Sequence, residues 1–518
     1  MFRSRVVAGV ALTAALVLTG CQGGGVPGNP GNAGEAKVID PDGTVRYAFV
    51  QNPISFDPAR SSNAFDQIPL GLAYDQLLWN NEDDELEPML ATEWGFVDGG
   101  AALEMTLRDD VTFIDGEKFN AAAVKANLDR ARTLPKSLHL GTLARIESID
   151  VVEEYKVRFN LNGPGANLPR LFSSNVGSMV SPAALNNPDL DQKPVGSGMA
   201  KLVEYIPSQV HRWEANAGYW DPDAIKAAKY EVYIQTSSPT RQNMLTTGQA
   251  DLTYLLPQDE DAAKSAGLNV APSVSTSIFQ LNINADPAKP IGNPKVREAL
   301  EHAIDRQTLV KGVFFGAGEP VAQHIPPSNW AYNPNVQPDD PKYGYDPKLA
   351  KQLLAEAGYP DGVDLDMMIP GLDDHRALGE ALVPMLAESG FRVKSRVQEA
   401  ATAGIFFSER AGDFMPGLTP PVLDVTNTYQ RNLRGNYTNQ FNNTSERFTQ
   451  LWMDSMAGES ESDRLPAIHR MIEEEKSLRN GIPLFLFTPP SAWNDKIVFP
   501  EGYKPAYKPH FRGVGVTK

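Results

Sequence analysis

Only one cysteine, Cys21, occurs in 518 residues. The chain therefore cannot staple itself with a disulfide, and its fold must rest on buried apolar surface. At this length a hydrophobic interior can supply that stability, and more than one core is expected. The place of the cysteine constrains the chain further. Arg3 and Arg5 form a short basic start, and Val6 to Leu18 form an apolar run too short to span a bilayer as a stable helix. Leu18-Thr19-Gly20-Cys21 closes that run, so residues 1–20 read as an export signal.

The closing tetrapeptide resembles the lipobox of bacterial lipoproteins. The resemblance implies acylation of the Cys21 sulfur, cleavage of the bond before it, and a location outside the cytoplasmic membrane, held to the cell membrane by lipid. The alternative is a secretory peptide that happens to end at a cysteine. Gln22 to Gly34 is rich in Gly, Pro and Asn and has too few apolar residues to pack. Residues 21–36 are accordingly expected to be a lipidated flexible tether.

No second apolar stretch is long enough to cross a membrane. The formal charge is −17, and without Arg3 and Arg5 it becomes −19, 45 basic residues against 64 acidic. That balance argues against nucleic acid or anionic lipid as partner, because both are held through basic patches. General solubility accounts for the acidity without a cationic ligand.

Beyond the tether, strand and helix patterns alternate. Val45, Tyr47 and Phe49 have period two, as do Leu103, Met105 and Leu107, then Val157, Phe159 and Leu161, then Phe279, Leu281 and Ile283. Asn120 is placed to cap a helix that buries Val124, Leu128 and Ala131, with Phe119 and Val124 as its staple. Pro294 suits the first turn of a helix carrying Val296, Leu300, Ala303 and Ile304 on one face. Asp346-Pro347 starts another, with Ala350, Leu353, Leu354 and Ala357 inward and Gly358 as its stop. A fourth is expected over 462–478 with Leu465, Ile468 and Ile472 inward and Gly481 beyond its end. This alternation predicts an α/β protein of at least two lobes.

Enzyme motifs are missing. There is no Gly-x-Ser-x-Gly elbow, Ser-x-x-Lys, His-Glu-x-x-His or phosphate loop. The seven histidines stand apart in sequence, with no pair at metal-ligand spacing, and His302 reads as a packed or surface imidazole. Neither a cofactor nor a metal is expected, and no catalytic carboxylate pair stands out.

Several further segments stand out together. They are Phe56-Asp57-Pro58; Tyr74-Asp75-Gln76-Leu77-Leu78 with Leu86-Glu87-Pro88-Met89-Leu90-Ala91; and Leu107-Arg108-Asp109-Asp110-Val111-Thr112-Phe113 running into Asp115-Gly116. Pro194-Val195-Gly196-Ser197-Gly198, Gly248-Gln249-Ala250-Asp251, Val296-Arg297-Glu298-Ala299-Leu300 and Tyr345-Asp346-Pro347 continue the series. In their order and spacing, over about residues 44 to 488, these segments together resemble the extracellular solute-binding proteins, family 5, of peptide and nickel ABC importers. Gly116 and Gly198 suit tight turns, and Arg297 and Asp305 are expected to pair or face solvent on one helix.

The resemblance implies a large two-lobed periplasmic-binding-protein fold, class II with three subdomains, and a ligand cleft between lobes joined by crossing strands. Mapped here, lobe I takes 37–278 with an added subdomain over about 60–190, lobe II takes 279–488, and 489–518 returns to lobe I. The implied activity is capture of one small ligand by lobe closure and its delivery to an ABC permease, with no chemistry on the ligand. A short peptide or peptide-like solute is expected, and a monomer. A metal chelate, an opine and an oligosaccharide are other ligand classes of the family. From a different class, the fold could serve a structural or signalling surface lipoprotein.

The family resemblance thins at the loop that, in peptide binders, carries an aspartate for the ligand's ammonium. Here Gly417 matches, Leu418 replaces a tryptophan, Pro420 and Pro421 stiffen the loop, and Asp424 falls late. Asp424 either pairs with a ligand amine across the cleft or is a turn residue facing water. Asn52 lies in the segment that in relatives runs along the ligand. Asn282 and Asn284 sit on the predicted crossing strand, and Phe487 and Trp493 on the return; each suits a polar ligand with apolar branches or a core or hinge role.

Overall fold

The chain passes between two sheets twice, and those crossings organise the molecule. The computed structural model describes residues 38–61, 66–81, 83–399, 402–404, 407, 409–419, 424–434, 439–506 and 509–518. Cys21, the export signal, the tether and Pro420 to Leu423 lie outside them.

Thr44–Phe49 shows the expected alternation of Val45, Tyr47 and Phe49, yet Ala48 is buried as well. The strand is central, parallel to Lys229–Ile234 on one side and Leu252–Tyr254 on the other, so both of its faces are covered. The complete sheet runs Asn269–Pro272, Pro490–Trp493, Leu252–Tyr254, Thr44–Phe49, Lys229–Ile234, Val210–Ala215, Ala200–Ile206. A second sheet of six strands runs Gly318–Pro320, Gly481–Phe487, Ile278–Ile283, Phe414–Leu418, Val363–Pro370, Phe391–Gln398. Each sheet has its own core. Val45, Tyr47, Trp213 and Tyr230 belong to the first, and Phe279, Leu281, Leu300 and Phe485 to the second. Two separately cored sheets flanked by helices make two α/β lobes.

The crossings follow directly from strand order. Asn269–Pro272 ends in the first sheet and Ile278–Ile283 begins in the second; Gly481–Phe487 ends in the second and Pro490–Trp493 returns to the first. The two crossing segments lie side by side. Ser273 N donates to Pro489 O at 2.9 Å, Phe487 N donates to Ser277 O at 2.9 Å, and the Ser273 and Ser491 hydroxyls are 2.7 Å apart.

A third sheet, Ala91–Val97, Ala102–Leu107, Lys156–Leu161, Ile146–Glu153, is wholly antiparallel. It packs with helix Ala121–Thr133 around a further core that includes Leu103, Phe159, Val124 and Leu128. Asn120 Oδ1 accepts from Ala123 N at 3.0 Å, as the capping pattern predicts.

Local differences have local causes. The helix that starts at Pro294 stops at His302, so Ala303 and Ile304 lie past its end. Both are still fully buried, because the chain stays against the core before Asp305 caps a new short helix through Thr308 N at 3.0 Å. Arg297 does not meet Asp305; its guanidinium donates to the carbonyls of Leu478, Ile291 and Gly292. The fourth helix spans Glu461–Leu478 with a Ser460/Asp463 capping box. It ends on Arg479 at φ 49°, a left-handed residue held by an ion pair to Glu301 at 2.9 Å, rather than on Gly481. Gly116 adopts φ +93° as a turn requires. Gly198 is glycine for a different reason, since a Cβ there would sit 2.4 Å from the Ala73 carbonyl carbon.

Candidate ligand cleft

The clearest candidate site lies where the second lobe meets the crossing segments. Strand Phe414–Leu418 pairs with Ile278–Ile283, and the next residue, Thr419, is tied to the start of the same strand. Thr419 N donates to Ile278 O at 2.9 Å, and Ile278 N donates to Thr419 Oγ1 at 2.8 Å. The loop after Leu418 therefore leaves from the hinge itself. Leu418 is half-buried and packs against the cores of both lobes, so its side chain stands at their junction.

Gln280 and Asn282 are two residues apart and share one face of that strand. Their neighbours across the sheet are Gly417 and Gly481. The two glycines leave room for a polar network: a Cβ on Gly417 would lie 2.3 Å from Asn282 Nδ2, and one on Gly481 would lie 2.9 Å from His324 Nε2. Arg431 forks onto this face, donating through Nη1 to Gln280 Oε1 at 2.8 Å and through Nη2 to Asn282 Oδ1 at 2.9 Å. His324 Nε2 lies 2.6 Å from Gln280 Oε1, and its Nδ1 lies 3.8 Å from Glu475. Burial, with Arg431 and Lys476 nearby, holds the His324 pKa well below the usual imidazole range. Burial raises Glu475 to about 7, against the opposing pull of Lys476 and Arg431. The result is a polar floor on the hinge strand, with the Arg431 guanidinium at its centre. Sequence reading missed Arg431, His324 and Glu475, because their positions converge only in space; the paired amides at 280 and 282 were the available signal.

Asp424 is committed inside the protein. Only 1% of it is exposed, and its Oδ1 accepts from Thr426 N at 2.9 Å and from Thr426 Oγ1 at 2.6 Å, capping helix Val425–Gln430. Arg464 completes a buried ion pair with it at 2.9 Å. Neither expectation for Asp424, an open carboxylate or one facing water, describes that arrangement. Phe487 is enclosed in the second lobe's core, its ring centroid 5.1 Å from Phe279 and 5.7 Å from Phe314, so its aromatic surface is already used for packing.

The remaining expected residues lie on the first lobe. Asn52 donates to Tyr205 Oη at 2.8 Å and accepts from Ser208 N at 3.2 Å, which fixes the segment after Thr44–Phe49 to a hairpin. Trp493 stacks edge-on to Phe499 at 5.4 Å beside a cavity of about 10 Å³, room for one water. Asn282, Gly417 and Leu418 thus come together, Asp424 stands at the far end of their loop, Asn52 and Trp493 belong to the facing lobe, and Phe487 belongs to the core. Asn284 donates to Phe407 O at 3.2 Å and Gly412 O at 2.9 Å and serves the backbone of its own lobe. Among the described residues no group of three or more His, Cys, Asp or Glu is placed to hold a metal ion, and no helix is long and apolar enough to cross a membrane.

Comparison with known proteins places this architecture. The glutathione-binding protein GsiB of Salmonella typhi is 35% identical over 322 residues, 61% of this chain and 62% of that protein. The chain thus aligns with about three-fifths of the length of the curated relatives it matches. A DppA periplasmic binding protein from Helicobacter pylori, solved with the peptide STSA, superposes with a TM-score of 0.79 at 24% identity, covering 92% of this chain and 98% of that one. A dipeptide-binding protein from Pseudoalteromonas, solved with Met-Leu, gives 0.81 at 22%, covering 92% and 100%. These structures share the two-lobed fold. The model of the bacterial extracellular solute-binding proteins, family 5 (middle), matches residues 85–442. With a match over more than half its length, this chain belongs to the bacterial extracellular solute-binding proteins, family 5.

Proposed function

We propose that the protein is the substrate-binding component of an ABC importer, capturing a short peptide or peptide-like solute between its lobes and presenting it to a membrane permease. One observation carries this reading: two separately cored sheets are joined by a pair of adjacent crossing segments, and the residue after Leu418 is bonded to that hinge. Such a clamp favours its closed state when one ligand touches both sides. The relatives supply the ligand class, since they bind glutathione, the peptide STSA and Met-Leu. Residues 37–278 and 489–518 would form lobe I and 279–488 lobe II. Asn282, Gly417 and Leu418 on one side and Asn52 and Trp493 on the other would face the solute. Cys21 would carry the lipid that tethers a monomeric clamp to the outer face of the cell membrane. No reaction on the ligand is part of this function.

Mass spectrometry of small molecules released when the purified chain is denatured tests the reading. A set of short peptides or glutathione-like compounds is the expected result. A chain that releases nothing, and after refolding binds neither glutathione nor Met-Leu by calorimetry, refutes the peptide assignment. Cys21→Ser should abolish incorporation of a fatty-acid label into the chain; a parent chain that takes up no label refutes the anchor.

A further inference from the structure

The flank of the four-stranded subdomain reaches across to the helices of the second lobe, away from the loop and its polar floor. Arg170 leads this contact. It is 6% exposed and lies in a short helix, Leu168–Leu171. Nε donates to Glu461 Oε1 across the junction at 2.7 Å, while Nη1 and Nη2 donate to Asp84 Oδ1 at 3.0 Å and Asp84 O at 2.9 Å within its own lobe. Asp84 Oδ2 in turn accepts from Asn329 Nδ2 of the second lobe at 2.9 Å. The Arg170 guanidinium lies 6.0 Å from the Trp330 ring, and Arg464 lies 5.3 Å from the same ring. Nearby, Asn167 Nδ2 donates to Thr426 Oγ1 at 3.1 Å, and Ala166 N donates to Met456 O at 3.2 Å.

We infer that Arg170 is a latch: a positioning residue that holds the lobes closed through Glu461, Trp330 and the Asp84–Asn329 bond without touching the ligand. The inference rests on the clamp reading. The chemistry suits a reversible device. On opening, Arg170 keeps Asp84 and returns to water, so no orphaned buried charge blocks the motion. Glu461 is 44% exposed along its side chain, which keeps the cross-junction ion pair modest. Thr426 bonds both Asn167 and Asp424, so the closed junction also steadies the end of the ligand loop. Closure energy of this kind is the same for every ligand. It raises retention of all solutes together and leaves their ranking unchanged.

The test needs no ligand, so its failure is separate from that of the peptide assignment. Spin labels at Glu93→Cys and Lys394→Cys, in the full chain with Cys21→Ser held in detergent, report the lobe distance after ligand is stripped by unfolding and refolding. A short, closed distance is expected in a measurable fraction of the chain with its latch intact. Arg170→Ala should lower the closed-to-open ratio about tenfold, and Glu461→Gln, a change at an exposed side chain, about threefold with its unfolding midpoint unchanged. An unchanged distance distribution in both variants overturns the latch, as does a latch-intact chain found only at the open distance. If Arg170→Ala does not fold, Glu461→Gln decides alone on the same criterion.

Discussion

Glu475→Gln separates folding stability from pH over a defined window. Glu475 is fully buried, and neither of its oxygens has a hydrogen-bond partner among the described residues. Burial lifts its pKa from 4.5 to about 7, with Lys476 and Arg431 opposing and Glu301 assisting. A folded-state pKa above the unfolded one means that the folded chain keeps a proton the unfolded chain has lost. Stability is therefore fully present below pH 4.5, declines as pH rises towards 7, and is level above that. At about 1.4 kcal/mol per pKa unit, the loss across the window is about 3 kcal/mol. Glu301 works in the opposite sense and in a different range. Burial pushes it up, but Lys476, Arg479 and Arg306 outweigh burial and hold it at about 2, so its contribution disappears only as pH falls below 4.5. Burial, with Arg431 and Lys476 nearby, holds His324 well below the imidazole range. Glutamine keeps the shape of the side chain and removes the titration. Chemical unfolding of both chains at pH 5 and pH 8 should show the variant gaining about 3 kcal/mol on the parent between the two conditions. A constant difference at both pH values refutes the assignment of the raised group to Glu475.

Two further outcomes follow from the same geometry. Arg464→Met leaves Asp424, 1% exposed, without its counter-ion, and should cost about 3–5 kcal/mol in chemical unfolding; adding Asp424→Asn should recover part of that loss. Gly417→Ala places a methyl 2.3 Å from Asn282 Nδ2 and must displace the amide that holds Arg431, at about 1–3 kcal/mol; less co-purified small molecule per chain is expected, read by mass spectrometry of the denatured protein.

The placing of some residues around the hinge was legible. The Gly417-Leu418 pair marked the loop, and Leu418 does stand between the two cores. Asn282 was picked for its amide on a strand near the hinge; that amide fills the space over Gly417 and accepts from Arg431. Asp424 shows where such reading stops. An aspartate in a loop near a cleft looks free until a helix forty residues later delivers Arg464 against it. Phe487 is enclosed for a similar reason, since an aromatic on a returning strand reads alike whether it faces a cleft or the rings of Phe279 and Phe314.

Local pattern by itself determined the elements of this protein. Period-two runs such as Phe279, Leu281 and Ile283 became strands because alternate side chains must share one face, and Asn120, Asp346 and the stop at Gly358 set helix ends because caps act within a turn or two of chain. The lone cysteine settled that apolar burial, not cross-linking, would hold them. Only the tertiary structure decided which charges meet. The Asp424–Arg464 pair, the Arg431 fork on Gln280 and Asn282, and the Arg170 contact with Glu461 join residues separated by 40 to 291 positions. Coulombic and hydrogen-bond energies depend on distance in space and on how much water remains between the partners, and neither is written in the spacing of residues along the chain.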